Sequence, residues 1–174
     1  MPNSAKSNDL FYVTLTIVNW LDIFTRENYK LIITKNLAYC QQNKGLRIFE
    51  YVLMTNHLHM IVQSDLKPLS DILRDFKSYS AKQLFAIISE NPQESRKEWL
   101  LRTFKREGYI NPLNKAIQVW QNGNYPIQLY SQEIIQQKIN YIHQNPIRAG
   151  MVAEPHHYLY SSASPDSPLK CNEW

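Results

Sequence analysis

The sequence has few of the features that would build a disulfide-bonded, secreted or membrane-spanning protein. Its two cysteines, Cys40 and Cys171, are far apart and form neither a disulfide framework nor a metal-binding motif, which favours a reducing compartment. No apolar run approaches the ~18 residues that span a membrane, and residues 1–10 lack the apolar segment of a signal peptide. We therefore expect a cytoplasmic protein with no membrane partner.

The remaining composition is that of an ordinary globular domain. The chain has 174 residues, of which 44% are hydrophobic and 20% charged, and it has only four glycines, so disordered and fibrous classes are excluded. We expect one domain, with a core over about 8–154 and a C-terminal tail at 155–174. The net charge of +4 favours an anionic partner, although an excess of this size does not by itself establish nucleic acid as that partner.

The residue patterns predict an α+β domain. Alternating β-branched and aromatic residues predict strands at 11–18, 46–54, 58–63 and near 127–130. Helical spacing predicts helices at 26–42, at 68–88 and from 132 to 144 or 145, and a short helix at 99–104 within the poorly patterned stretch 89–119. This order is close to a ferredoxin-like (split βαβ) antiparallel sheet, with helices packed on one face and a tyrosine-bearing C-terminal helix.

Local signals predict where two of the helices begin and end. Thr25 is the expected N-cap of the first helix, and Gly45 is the expected residue just past its end. Ser131 is the expected N-cap of the last helix. That helix should end before Pro146, because proline disfavours helical geometry in the preceding residue.

Two histidines lie two residues apart at the start of a predicted strand. Residues i and i+2 of a strand project from the same face, so His57 and His59 can offer two imidazole nitrogens to one metal ion. On the last predicted helix, Lys138, Tyr141 and Asn145 fall on one flank of the apolar stripe. If this helix packs beside the histidines, a phenol, an amide oxygen and two imidazoles converge.

Such a group suits phosphodiester cleavage by a tyrosine nucleophile. A divalent ion would polarise the phosphate while a phenolate attacks it. A free tyrosine has a pKa of about 10, so the phenolate needs stabilisation by the ion and by a cation such as Lys138.

Each of these residues also has a structural interpretation. Histidine pairs in strands are more often structural than metal-binding, and Tyr141 is one of eleven tyrosines, most of which serve packing. Asn145 is equally a helix-end residue. The 68–88 helix has three basic residues, Arg74, Lys77 and Lys82. They fit a solvated helix face as well as they fit a DNA-binding surface.

Two motifs together resemble one known family. The run YVLMTNHLHMIV at 51–62 resembles the HUH motif of single-strand DNA transposases, and YIHQNPIRAGMV at 141–152 resembles the tyrosine helix of REP-associated tyrosine transposases. The resemblance extends to 11–17, 22–24, 76–80 and to the Trp-Gln pair at 120–121. Residues 125–128 depart from the family, many of whose members have a histidine or acidic residue there.

The resemblance implies a metal-dependent endonuclease and strand transferase that acts on single-stranded or hairpin DNA. His57, His59 and Asn145 would then be the ligands of Mg²⁺ or Mn²⁺, and Tyr141 the nucleophile. His143 points to another helix face and is expected to serve packing or DNA contact. The predicted DNA contacts are the basic residues Arg74, Lys77, Lys82, Lys138 and Arg148.

Two other functions remain open. One is a domesticated relative that binds DNA hairpins without cutting them. A zinc hydrolase is less favoured, because neither HExxH nor HxHxDH occurs in the sequence. Whether the protein works as a monomer or as a homodimer is also open.

Overall fold

Four antiparallel strands form the sheet that carries the histidine pair. The computed structural model describes residues 9–113 and 116–174. The strands lie in the order β2-β3-β1-β4, which confirms the ferredoxin-like α+β fold. They are β1 (Phe11–Thr16), β2 (Leu46–Leu53), β3 (His57–Ser64) and β4 (Ile127–Gln128).

The structure contains four α-helices within the described ranges: α1 (Glu27–Lys44), α2 (Leu69–Glu90), α3 (Lys97–Ile110) and α4 (Gln132–Arg148). The prediction of only a short helix at 99–104 was wrong, because α3 extends in both directions around the buried side chains of Leu100 and Phe104. Gly108 lies inside α3, where a β-carbon would stand 2.6 Å from the Cα atom of Ile117. None of the helices in these ranges is long and apolar enough to cross a membrane.

Two local details near the start of the chain differ from the prediction. The first strand ends at Thr16 and is followed by a 3₁₀ turn over Val18–Trp20. Arg26, not Thr25, occupies the N-cap of α1, and it makes no side-chain capping bond. The other end of α1 is as predicted, since Gly45 adopts a φ of +73° and its N–H donates to the Cys40 carbonyl.

The two faces of the sheet differ in chemistry. Leu58, Met60 and Val62 are fully buried on one face of β3, which belongs to the core beneath α1 and α2. The alternate residues His57 and His59 project from the other face. α4 lies on this second face, where its residues contact both β1 and β3.

Residues 155–174 cover the outer edge of β2. Leu53 N–H donates to the Tyr160 carbonyl at 2.9 Å, and Asn172 N–H donates to the Ile48 carbonyl at 2.7 Å. Tyr158 and Leu169 from this segment are buried against the domain. The segment therefore satisfies backbone groups that an uncovered edge strand would leave open to pairing with another chain.

Candidate active site

The structure brings the two histidines, Tyr141 and Asn145 together within one chain. The ring centroids of His57 and His59 are 4.7 Å apart, and the Tyr141 ring lies 5.4 Å from that of His59 in an edge-to-face arrangement. The side chain of Asn145 lies near His57, where it favours the charged form of that imidazole. The convergence expected from the helix pattern is therefore present in the geometry.

His59 is held by two hydroxyl groups on β1. Its Nδ1 atom lies 2.7 Å from the Tyr12 hydroxyl and 2.9 Å from the Thr14 hydroxyl. These bonds leave Nε2 as the nitrogen that is free to bind a ligand. Burial, with the nearby His57 and Lys138 adding to it, lowers the pKa of His59 to about 3, so this imidazole is neutral near pH 7.

His57 is oriented by the turn residue before it. The Asn56 amide nitrogen donates to the Trp20 carbonyl at 3.0 Å, which directs its oxygen to His57 Nδ1 at 2.6 Å. An amide oxygen only accepts hydrogen bonds, so Nδ1 carries the proton and Nε2 keeps its lone pair. Burial also lowers the pKa of His57, although the nearby Asn145 side chain opposes this shift.

The low pKa of His59 predicts how stability depends on pH. The unfolded chain takes up this proton near pH ~6.5, whereas the folded protein takes it up at about 3. Between these values the unfolded state binds more protons, so the free energy of unfolding should fall with falling pH, by up to ~1.4 kcal/mol per pH unit. Urea unfolding of the metal-free protein at about pH 7 and pH 5 measures this slope, which should be shallower in His59→Gln. Equal slopes in the two proteins would contradict the assignment.

Tyr141 is placed between two cations on its own helix. The Lys138 ammonium lies 5.8 Å from the Tyr141 ring centroid, and the Arg148 guanidinium lies 5.2 Å from it. Arg148 reaches this position because α4 continues through Pro146, which corrects the predicted end of the helix at 144 or 145. Pro146 is buried, and the Ala149 N–H still donates to the Asn145 carbonyl at 3.1 Å. The helix therefore continues past Pro146, although proline removes one backbone hydrogen bond.

The start of α4 follows the sequence signals. The Ser131 hydroxyl accepts from Ile134 N–H at 3.3 Å, as expected of an N-cap. Ile142 is fully buried, and the rest of the apolar stripe packs against the core; these residues are Ile134, Ile135 and Ile139. This stripe sets the rotation of the helix and directs Tyr141 towards the histidines.

A buried carboxylate fastens α4 to the sheet. Glu50, beside a bulge in β2, accepts from His143 Nε2 at 2.8 Å, from the Ser162 hydroxyl and from Trp174 Nε1 at 3.3 Å. Burial raises the pKa of Glu50, but these bonds outweigh it and hold the pKa below its usual value. His143 is thus a packing residue that joins the tyrosine helix, β2 and residues 155–174.

We expect Glu50→Ala to lower the free energy of unfolding by about 1–3 kcal/mol, because it removes the buried acceptor shared by three side-chain donors. Urea denaturation measures this loss. The matched control is Glu90→Ala at the exposed end of α2, which should change stability by less than ~0.5 kcal/mol. A Glu50→Ala protein as stable as the control would show that the cluster does not hold α4.

The predicted basic residues of α2 lie away from Tyr141. Arg74 is exposed and pairs with Asp71 at 2.8 Å and Asp75 at 3.2 Å. Lys82 is exposed beside a groove of about 770 Å³ between α1 and α2. Of the five predicted DNA contacts, only Lys138 and Arg148 stand at the site.

Lys77 is engaged inside the protein. Its ammonium donates to the carbonyl oxygens of Gln121 at 2.6 Å and Gly123 at 3.1 Å, and to the Asn124 side chain at 3.3 Å. Burial lowers the pKa of Lys77 to about 8, while the three oxygens favour its charged form. Lys77 therefore fastens the 121–124 loop to α2.

Sequence reasoning missed the residues that orient the histidines: Tyr12, Thr14, Asn56 and Trp20. Asn56 lies in the turn between β2 and β3, and its position next to His57 in the sequence was the one available signal. Tyr12 and Thr14 alternate along β1 and so share a face, but their pairing with His59 depends on a strand register that the sequence does not show.

The donor set available for a metal is small. Within residues 9–113 and 116–174, no group of three or more histidine, cysteine, aspartate or glutamate side chains could hold an ion. A site here would consist of the two imidazoles and the amide oxygen of Asn145. Nitrogen donors suit Mn²⁺ better than Mg²⁺, which prefers oxygen.

The model of the family described as IS200-like transposase matches residues 14–111. The chain belongs to the IS200-like transposase family. The matched region contains His57 and His59 and ends before Tyr141, so the family match does not bear on the tyrosine. No curated protein sequence matches the chain.

Two solved structures are similar to this chain to different degrees. A REP-associated tyrosine transposase bound to a REP hairpin superposes with a TM-score of 0.61 at 13% identity, covering 93% of this chain and 82% of that one. At this identity the likeness establishes the fold alone. An inferred transposase from Deinococcus radiodurans gives a TM-score of 0.42 at 16% identity, covering 82% of this chain and 95% of that one, which is too low to carry an argument.

Proposed function

We propose that this IS200-like transposase is a metal-dependent endonuclease and strand transferase that cleaves single-stranded DNA near hairpins through a 5′-phosphotyrosine intermediate. The observation that carries the proposal is the contact of the Tyr141 ring with His59, in a site that also holds His57 and Asn145. A packing tyrosine would need neither two oriented neutral imidazoles nor flanking cations.

The orientation of the histidines supports metal binding. Metal-binding histidines usually donate their second ring N–H to a fixed partner, as His57 donates to Asn56. When bound, Mg²⁺ or Mn²⁺ would polarise the phosphate and neutralise developing charge. His57, His59 and Asn145 would hold the ion.

The chain's own residues account for the covalent step. Tyr141 gives its phenolic proton to solvent water, and its oxygen attacks the phosphorus and forms the O–P bond to the 5′-phosphate. The bond to the 3′-oxygen breaks, and that oxygen takes up a proton from water. Lys138 and Arg148 provide positive charge for the phenolate and the phosphate. Attack by a free 3′-hydroxyl reverses these changes, joins the strands and releases Tyr141.

Hairpin DNA is the proposed substrate class because a solved structure of similar fold is bound to a REP hairpin. Cleavage itself requires an accessible single strand beside Tyr141. Since the tyrosine and the histidines meet within one chain, we propose that the site is built in cis, in a monomer or in each subunit of a homodimer.

The test is to incubate the protein with a hairpin carrying a single-stranded flank, with Mn²⁺, and to look for a covalent adduct on a denaturing gel. A 5′-phosphotyrosine predicts that a label at the 3′ end of the DNA stays on the protein, while a 5′ label leaves with the released fragment. Adduct with the opposite label pattern would overturn the polarity. Hairpin binding with neither metal dependence nor adduct would support a non-catalytic hairpin-binding protein.

Asn56 provides a test of metal binding that does not depend on cleavage. We expect Asn56→Ala to weaken Mn²⁺ binding by about 10- to 100-fold, because His57 loses the partner that fixes its tautomer and ring orientation. Titration with Mn²⁺ followed by electron paramagnetic resonance measures the affinity. The control is Asn43→Ala, since the Asn43 amide bonds within α1, to the Tyr39 carbonyl. Equal affinities would remove Asn56 from the site.

A further inference from the structure

Trp20 is a large aromatic residue exposed at the edge of the active site. Its side chain is 62% exposed, and its ring centroid lies 6.5 Å from that of His57. Exposed tryptophan beside a polar cleft is a common feature of binding surfaces, because the indole combines a wide apolar face with a polar N–H.

The backbone that presents Trp20 is strained and held in place. Asn19 and Trp20 have φ values of 53° and 55°, a left-handed conformation that is unfavourable for non-glycine residues. Trp20 N–H donates to the Ile17 carbonyl at 3.0 Å, and the Asn19 amide donates to Glu107 on α3 at 3.1 Å. Such strain persists where surrounding structure imposes it, and here it holds an indole in solvent.

The same turn is connected to His57. The Asn56 amide bridges the Trp20 carbonyl and His57 Nδ1. The aromatic rings follow one another across the site from Trp20 to His57, then His59, then Tyr141, with neighbouring centroids 6.5, 4.7 and 5.4 Å apart. Trp20 and Tyr141 therefore stand at opposite ends of one row.

We propose that Trp20 is a stacking platform for an unpaired base close to the phosphodiester that Tyr141 attacks. The inference rests on the proposed function, which places a DNA strand along this row. Positive charge stands at the Tyr141 end, where a phosphate would lie, and the uncharged indole stands at the other end. Stacking on an aromatic ring holds a base without reading its identity.

The experiment measures binding of a fluorescein-labelled hairpin with a single-stranded oligothymidylate flank, by fluorescence anisotropy without added metal. Trp20→Ala should lower the affinity by about 5- to 100-fold, and Trp20→Phe should retain most of it. The slope of log affinity against log salt should stay unchanged in Trp20→Ala, because stacking releases no counterions. The matched control is Trp99→Ala on α3, whose side chain is 47% exposed and which should bind like the wild type.

A flank with abasic residues in place of thymines tests the base directly. The wild-type protein should bind this probe with the affinity of Trp20→Ala, and Trp20→Ala should lose nothing further. The proposal is overturned if Trp20→Ala binds the intact probe like the wild type, or if its deficit persists on the abasic probe. The second result would mean that Trp20 contacts the sugar-phosphate backbone and not a base, or that the substitution distorts the fold, which thermal melting would reveal.

These outcomes are separate from the fate of the proposed function. If no covalent adduct forms but the base-dependent loss in Trp20→Ala remains, the nuclease mechanism fails and the stacking site stands. If the adduct forms normally in Trp20→Ala and binding is unaffected, the nuclease mechanism stands and the stacking site fails.

Discussion

Tyr141→Phe is expected to abolish the covalent protein–DNA adduct, with a loss of at least roughly 1,000-fold in cleavage. The substitution removes the only atom that can form the phosphotyrosine bond and leaves the ring against His59 in place. Because Tyr141 is 37% exposed and the substitution removes only the hydroxyl group, we expect stability and hairpin binding to change little. The adduct is measured on a denaturing gel with 3′-labelled hairpin DNA and Mn²⁺.

The control for this experiment is Tyr130→Phe. Tyr130 stands just before α4 and is 81% exposed, and it should form adduct at the wild-type rate. Undiminished adduct in Tyr141→Phe would remove Tyr141 as the nucleophile. Loss in both variants would assign the effect to the α4 region in general.

His57→Ala should weaken Mn²⁺ binding by more than the roughly 10- to 100-fold expected from loss of an orienting residue. It removes one of two imidazole donors, so the remaining set is one imidazole and one amide. Adduct formation should fall with it, and chelation with EDTA should have the same effect on the wild type. Mn²⁺ affinity and adduct yield are measured on the same preparation.

A second histidine pair provides the matched control. His156 and His157 lie 4.2 Å apart by ring centroid, and both are exposed near the C terminus. His156→Ala should leave Mn²⁺ affinity and adduct unchanged. If His57→Ala retains full Mn²⁺ affinity, the ion is not held by His57 and His59.

The elements with strong local signals were predictable. The β2–β3 hairpin, α1 and α2 were expected within about two residues at each end, because strand alternation, helical spacing and Gly45 are local properties. The length of α3 was underestimated. Pro92 and Pro112 lie close to its ends and argued against a long helix, whereas two buried residues stabilise it. The predicted end of α4 was wrong. A proline disfavours helical geometry in the residue before it, but burial of Pro146 offsets this cost and the helix continues.

For the candidate site, the sequence alone was enough to identify His57, His59, Tyr141 and Asn145 as candidates, since spacing along one strand and one helix fixes which side chains share a face. Only the tertiary structure decided their surroundings. Strand register placed Tyr12 and Thr14 on His59, a bend at the end of β1 brought Trp20 to His57, and Glu50 fastened the tyrosine helix to β2. Those contacts join residues distant in sequence, so no local periodicity encodes them, and they depend on the burial and hydrogen bonding of the assembled fold.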